Sequence, residues 1–132
     1  GGGSNHRFNL SGGVMIKDNH IAAAGSIPLA VERARERAPL TLKIEVETTT
    51  LDEVRAALDA DADIIMLDNM TTDEMVECIG VIREAAGDRV KIEASGNITA
   101  ERLPEIAGIG LDYVSSGALT HSVVAADISM RF

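Results

Sequence analysis

Short aliphatic segments alternate with amphipathic segments along this chain, and the alternation limits the folds that it can adopt. The amphipathic stretch from Ser26 to Ala38 spaces its apolar residues as on one helix face, and Ser26 suits an N-cap. Strands that alternate with helices form βαβ units and a parallel sheet. The predicted strands are 14–17, 42–46, 63–67, 90–94 and 111–114; the predicted helices are 26–38, 50–59, 72–86 and 99–107, with a further helix possible after Gly117.

The composition agrees with a parallel sheet covered by helices. The chain is 45% hydrophobic but only 2% aromatic, so aliphatic side chains must build the core, as is typical of buried parallel strands. A barrel and an open doubly wound sheet both fit. The fingerprint G-x-G-x-x-G is absent after the first strand, which favours the barrel, but five strands do not close an eight-stranded one. We therefore predict that residues 1–132 form part of a parallel TIM-like α/β barrel.

Charge and cysteine content restrict the partners and the compartment. The 21 acidic and 12 basic residues give a net charge of −9, which repels nucleic acid but leaves room for a small anion at a local basic site. No apolar run reaches the roughly 18 residues of a membrane helix, and no signal peptide is evident. The single cysteine, Cys78, excludes an internal disulfide and fits a reducing cytoplasm.

Polar residues end each of the five predicted strands. In parallel α/β folds the carboxyl ends of the strands lie on one face, and that face carries the active site. A polar residue at one strand end means little, but five in succession predict a shared functional face. These segments are Lys17-Asp18-Asn19-His20, Glu45-Val46-Glu47, Asp68-Asn69, Glu93-Ala94-Ser95-Gly96-Asn97 and Ser115-Ser116-Gly117.

Two small polar segments follow the last two strands. Ser95-Gly96-Asn97 and Ser116-Gly117 occupy equivalent places, where barrels bind phosphate with backbone N–H groups. Glycine lets the backbone approach a ligand closely. The alternative is a pair of ordinary turns, but the repetition favours phosphate binding.

Two carboxylates, Glu47 and Asp68, end successive strands. They could hold Mg²⁺, which binds one or two protein carboxylates beside water and phosphate. They could instead form an acid/base pair or contact sugar hydroxyls, or simply be solvated acids. Glu45 has no clear assignment. The alternation of side chains along a strand places it on the opposite face from Val46, where it could face Glu47 or contact a helix.

Positive charge comes from His6, Arg7 and Lys17, which together could neutralise an anionic substrate. His6 and His20 do not show metal-ligand spacing, and a single histidine is more often a structural hydrogen-bonding group. The sequence chemistry assigns no role to His121.

Six motifs resemble, in order, those of the quinolinate phosphoribosyltransferase family, and they cover nearly the whole chain. The family carries a triple glycine before Asn-His-Arg, so the resemblance implies that the opening glycines are native, although GGGS also suits an engineered linker. The motifs are Gly1-Gly2-Gly3-Ser4-Asn5-His6-Arg7, Ile16-Lys17-Asp18-Asn19-His20, Glu45-Val46-Glu47, Met66-Leu67-Asp68-Asn69-Met70, Glu93-Ala94-Ser95-Gly96 and Gly117-Ala118-Leu119-Thr120-His121-Ser122.

The resemblance implies a pentosyltransferase reaction in de novo NAD biosynthesis. Quinolinate and phosphoribosyl pyrophosphate give nicotinate mononucleotide, pyrophosphate and CO₂, with Mg²⁺ as cofactor. It also implies a role for each motif. His6, Arg7 and Lys17 would bind the quinolinate carboxylates; Glu47 and Asp68 would hold the ribose hydroxyls and Mg²⁺, with Lys17 as the third catalytic group; Ser95, Gly96, Asn97, Ser116, Gly117 and Ala118 would cradle the 5′-phosphate.

The chain departs from the family pattern in three ways. Gly12 stands where the family usually has aspartate, and Asn97 replaces the second glycine of the phosphate loop, although asparagine tolerates left-handed geometry. Family chains are about twice as long, so the resemblance implies that the N-terminal domain and the first barrel element lie outside this sequence. The intact enzyme is expected to be a homo-oligomer, a dimer or a dimer-based hexamer, and the isolated chain to lack part of the active site.

Two other functions stay open. A paralogue, such as the one linked to molybdenum transport, would act on another pyridine-like substrate, although the retained His6, Arg7 and Lys17 argue against it. A non-catalytic fragment would keep the phosphate loops and bind phosphate alone.

Overall fold

Five parallel strands form one sheet in a computed structural model that describes residues 2–131. Each strand pairs with the next one along the chain, in the order β1-β2-β3-β4-β5. This sequential order is that of a barrel wall, whereas a doubly wound sheet reverses its order. The elements are β1 (Val14–Ile16), α1 (Asp18–Ala24), α2 (Ile27–Arg37), β2 (Ile44–Thr48), α3 (Leu51–Asp59), β3 (Ile64–Asp68), α4 (Thr72–Ala86), β4 (Lys91–Ser95), α5 (Leu103–Ile106), β5 (Tyr113–Val114) and α6 (Ala118–His121).

The alternation of strands and helices is as predicted, but one helix was missed. α1 begins directly after Lys17, so the predicted polar strand end at Asp18 to His20 is its first turn. No residue of α1 is fully buried, and only Ile21 and Ala24 pack against the core. Its seven residues are too few to show the repeated apolar stripe that marks the longer helices. The predicted helix over 99–107 is also shorter, since only Leu103–Ile106 are helical.

The core lies between the sheet and the helices. Val46, Ile65 and Ile92, from the three central strands, are fully buried against apolar residues of the long helices. Side chains alternate between the two faces of a strand. The residues between these core positions, such as Glu45 and Glu47 of β2, therefore point to the opposite face, where the polar residues gather.

Two aspartates were predicted inside strands but stand before them. The carboxylate of Asp63 accepts a hydrogen bond from the Ile44 backbone N–H, and that of Asp112 accepts one from Ile92, both at 2.9 Å. Each aspartate thus satisfies a backbone donor at the start of the preceding strand. The strands consequently begin one or two residues later than predicted.

Asp112 is held more tightly than an ordinary surface acid. Arg83 donates to it at 2.7 Å and Lys91 at 2.9 Å. Burial opposes its ionisation, but these hydrogen bonds and that from Ile92 outweigh burial and lower the pKa of Asp112 to about 2, from an ordinary value of 3.8. The ionised carboxylate therefore stabilises the fold at neutral pH.

We predict that Asp112→Asn lowers the free energy of unfolding by about 2 kcal/mol at neutral pH, as the pKa shift implies. Because the pKa of Asp112 is lowered, its carboxylate stabilises the folded state fully at pH values above the ordinary pKa of 3.8. This stabilisation is lost as the pH falls towards about 2. Urea titrations of the wild type and the variant should therefore converge in acid. Asp88→Asn is the control, because Asp88 also faces Arg83, at 3.9 Å, but is 93% exposed. Equal losses in both variants would contradict the prediction.

Candidate active site

Four of the predicted site residues lie at the carboxyl end of the sheet. Lys17 follows β1 directly, Glu47 is the penultimate residue of β2, and Asp68 and Ser95 end β3 and β4. The register pairs Asp68 with Ser95 on the neighbouring strand. Because parallel strands end at the same edge of a sheet, the structure brings these residues to one face, as the sequence predicted.

Lys17 and Glu47 form an ion pair at this edge. The Lys17 Nζ donates to Glu47 Oε2 at 2.6 Å. This hydrogen bond raises the pKa of Lys17; burial opposes the rise, but the negative charges of Glu47 and Asp68 add to it, and the pKa stays above its ordinary value. Lys17 is therefore a permanent cation that is oriented by carboxylates and, being 47% exposed, still accessible to an anion.

Asp68 belongs to a network of asparagines rather than contacting Lys17 directly. The Asn69 amide donates to Asp68 Oδ2 at 2.7 Å, and the Asn97 amide donates to Asn69 Oδ1 at 2.9 Å. The Asn69 backbone N–H is bonded to the Ser95 carbonyl at 3.1 Å. The loop after β3 thus supports the loop after β4, and Asn69 is a site residue that the sequence analysis did not assign.

The segment Ser95-Gly96-Asn97 makes a tight turn over Asn69. Gly96 has φ +77° and Asn97 has φ +53°, the left-handed conformation that glycine and asparagine adopt most readily. A Cβ on Gly96 would lie 2.5 Å from the Asn69 side chain. Asn97 therefore adopts a backbone conformation that glycine would also adopt, whereas Gly96 admits no side chain.

The second small polar segment, Ser116-Gly117-Ala118, lies next to the first. Ser116 Oγ donates to the Ile98 carbonyl, which ties the loop after β5 to the loop after β4. Gly117 is the N-cap of α6, and a Cβ there would lie 3.2 Å from the His121 ring. Both predicted phosphate segments thus lie side by side at the carboxyl edge of the sheet.

His6 lies apart from this edge, on the face of the sheet that is turned away from the helices. Its Nε2 is 2.9 Å from Glu45 Oε2 and 3.7 Å from Glu93 Oε2. A cavity of about 650 Å³ opens there, lined by His6, Arg7, Glu45, Glu93 and Ser115 among others. Among residues 2–131, which the structure describes, the lining of this cavity does not include Lys17, Glu47 or Asp68. Gly1 lies outside the described residues.

The contacts of the histidines change the sequence interpretation. His6 lacked metal-ligand spacing, yet its ring and the carboxylates of Glu45 and Glu93 place ligand atoms within 4.8 Å of one another, a grouping that only the fold creates. His20 accepts a hydrogen bond from the Lys17 backbone N–H at 2.9 Å and is structural. His121 is exposed and contacts Ser122.

Glu45 and Glu93 are functional candidates that the sequence analysis left unassigned. Both are at least 95% buried as side chains. Burial raises the pKa of Glu45 first, and the neighbouring Glu93 charge raises it further, while His6 and Arg7 oppose this. Glu45 Oε1 is buried without a hydrogen-bond partner among the residues that the structure describes. The available signal was an acid inside each of two strands whose neighbouring residues are aliphatic, Ile44 and Val46 beside Glu45 and Ile92 and Ala94 beside Glu93.

No helix within residues 2–131 is long and apolar enough to cross a membrane.

Comparison with known proteins identifies the family. The family model for quinolinate phosphoribosyl transferase, C-terminal domain, matches residues 1–131. A Bacillus subtilis protein named probable nicotinate-nucleotide pyrophosphorylase (carboxylating) is 49% identical over 130 residues, which make up 98% of this chain and 44% of the relative. The human nicotinate-nucleotide pyrophosphorylase (carboxylating) is 43% identical over 131 residues, 99% of this chain and 44% of the relative.

A solved structure shows the same fold. NadC from Streptococcus pyogenes is 49% identical, with a TM-score of 0.83 over 92% of this chain and 41% of that chain. The chain thus spans less than half the length of these relatives. It belongs to the quinolinate phosphoribosyl transferase family, and the domain that it matches is the C-terminal one.

Proposed function

We propose that this chain carries part of the active site for phosphoribosyl transfer to quinolinate, with decarboxylation. The observation that carries the proposal is the meeting of a cation, two carboxylates and two glycine-containing loops at one edge of the sheet. A substrate with carboxylates, sugar hydroxyls and a phosphate needs these groups within one site. The names of the relatives agree with the reaction.

Each group has a chemical role in this proposal. Lys17, at the carboxyl edge, binds one carboxylate of quinolinate, and His6 and Arg7, which line the cavity on the inner face, bind the other, in each case by charge-assisted hydrogen bonds. The two groups are close enough for one substrate because the acids that hold Lys17 and His6, Glu47 and Glu45, are two residues apart on β2. Glu47 and Asp68 accept hydrogen bonds from the ribose hydroxyls. The two loops, Ser95-Gly96-Asn97 and Ser116-Gly117-Ala118, hold the 5′-phosphate by backbone N–H groups.

The reaction then needs no covalent enzyme nucleophile. The pyridine nitrogen forms a bond to ribose C1 while the bond from C1 to pyrophosphate breaks, and positive charge builds on the sugar. Nearby carboxylates favour that charge. In the resulting pyridinium, the bond to the adjacent carboxylate breaks, CO₂ leaves, its electron pair stays on the ring carbon, and a proton binds there to give nicotinate mononucleotide.

Mg²⁺ fits the donor chemistry of Glu47 and Asp68. Both are hard oxygen ligands on neighbouring strands, and this ion typically takes one or two protein carboxylates beside substrate phosphates. When bound, it would neutralise charge on the departing pyrophosphate. The ion pair of Glu47 with Lys17 uses one carboxylate oxygen, so the same carboxylate would bind both the Lys17 ammonium group and Mg²⁺.

The proposal also covers the compartment, the partners and the oligomeric state of the enzyme. We infer a cytoplasmic protein, in keeping with the single buried thiol of Cys78, which acts without nucleic acid or membrane. We also infer a homo-oligomer, a dimer or a dimer-based hexamer, as the resemblance to the family implies.

Ligand-dependent melting tests the proposal. Quinolinate and phosphoribosyl pyrophosphate should each raise the melting temperature of the chain, whereas nicotinate, which lacks the second carboxylate, should raise it less. Release of labelled CO₂ from carboxyl-labelled quinolinate should appear once the preceding part of the Bacillus subtilis relative is supplied as a separate chain. A response to phosphoribosyl pyrophosphate alone, with none to quinolinate, would instead favour a phosphate-binding function.

A further inference from the structure

Three ionisable groups meet on the inner face of the sheet, apart from the carboxyl edge. His6 belongs to residues 2–13, which contain no helix or strand. Glu45 and Glu93, in contrast, belong to β2 and β4, two strands held in register on either side of β3. The acids are therefore fixed by the sheet, and the histidine depends on them for its position.

The contacts show how the ring is held. His6 Nε2 lies 2.9 Å from Glu45 Oε2, a hydrogen-bond distance, and 3.7 Å from Glu93 Oε2. Glu93 is itself fixed by a hydrogen bond from Ser115 Oγ to its other oxygen. An ionised Glu45 can only accept, and Nε2 is then the donor in this contact. The second ring nitrogen, Nδ1, has no hydrogen-bond partner among the residues that the structure describes.

The three side chains of this cluster differ in their exposure to solvent. The side chains of Glu45 and Glu93 are 5% and 4% exposed, whereas that of His6 is 36% exposed. His6 and Arg7 line the same cavity. The histidine is thus the accessible member of a cluster whose acids stay buried, as when a buried carboxylate orients a functional imidazole.

We propose that Glu45 and Glu93 are positioning residues, which hold His6 through Nε2 and so present its Nδ1–H as a donor to a carboxylate of the pyridine dicarboxylate substrate. This inference rests on the proposed function, in which His6 binds quinolinate. Neither acid touches the substrate; both act through the histidine. With Glu45 neutralised as an amide, the ring loses its charged acceptor and is free to turn.

Ring nitrogen spectra of the 132-residue chain test the contact without any ligand. The three histidines, His6, His20 and His121, can be assigned by single replacements. We expect Glu45→Gln to shift the His6 ring ¹⁵N signals markedly and Glu93→Gln to shift them less. Glu47→Gln is the matched control, because Glu47 lies on the same strand and face but pairs with Lys17. Unchanged His6 signals in Glu45→Gln, with the fold retained, would overturn the proposal.

A double-mutant cycle on quinolinate binding tests the positioning itself. Glu45→Gln and His6→Ala should each weaken binding about tenfold, the loss of one hydrogen bond to a charged group. The double variant should bind no more weakly than His6→Ala alone, because the acid acts only through the ring. Additive losses would overturn the proposal, since Glu45 would then affect binding by another route.

Failure of the proposed function and failure of the positioning role would give different results. If the wild-type chain does not respond to quinolinate, the proposed function fails and with it the substrate role of His6, while the ring spectra still report the Glu45 contact. If Zn²⁺ alone binds stoichiometrically and displaces the hydrogen from Nε2, and Glu45→Gln abolishes this binding, the cluster is a metal site. That result would overturn the positioning role.

Discussion

Lys17→Ala is expected to weaken quinolinate binding by roughly 10- to 100-fold, the loss of one charge-assisted contact to a carboxylate. Lys17 is the cation at the carboxyl edge of the sheet, and its ion pair with Glu47 fixes its direction. Removal also leaves Glu47 without its counter-charge, which further repels an anionic substrate. Calorimetric titration of the chain with quinolinate would measure the change.

The fold should survive this replacement. Lys17 is half exposed, and exposed ion pairs contribute little to stability, about 0–1 kcal/mol. Lys91→Ala is the matched control, because Lys91 forms a similar pair with Asp112 at 2.9 Å and is 42% exposed, but begins β4 at the opposite end of the sheet. Arg7→Ala should resemble Lys17→Ala. Wild-type affinity in both Lys17→Ala and Arg7→Ala would show that these roles are wrong.

Gly96→Ala is expected to weaken binding of phosphoribosyl pyrophosphate tenfold or more and to lower the free energy of unfolding by roughly 1–3 kcal/mol. The new Cβ would lie 2.5 Å from the Asn69 side chain and 2.7 Å from its backbone nitrogen. Backbone cannot move aside as a flexible side chain does, and φ at Gly96 is +77°. The turn must therefore open, and its N–H groups lose their common direction.

Gly80→Ala provides the control for this second prediction. Gly80 lies inside α4, and a Cβ there would meet nothing within 4 Å. Alanine at such a position should stabilise the helix by roughly 0.5–1 kcal/mol and leave ligand binding unchanged. Chemical denaturation and calorimetry on both variants measure the two effects. Normal binding of phosphoribosyl pyrophosphate by Gly96→Ala would remove this loop from the proposed phosphate site.

The sequence predicted elements well where apolar periodicity was strong. The buried strands around Val46, Ile65 and Ile92 lie within a residue or two of their expected positions, because burial requires continuous aliphatic runs. It failed at α1, a helix of only seven residues with none fully buried, because so short a helix shows no repeated apolar stripe. It also placed Asp63 and Asp112 inside strands, although their carboxylates serve the preceding strands instead.

The sequence by itself determined the parallel α/β architecture and the location of a polar face, because strand ends can be read from local pattern. It also placed Lys17, Glu47, Asp68 and Ser95 at that face. Only the tertiary structure decided which groups touch. His6 and Glu45 are 39 residues apart along the chain and 2.9 Å apart in space, and no local pattern encodes such a contact. Burial of two acids beside one ring arises only when separate strands are brought into register.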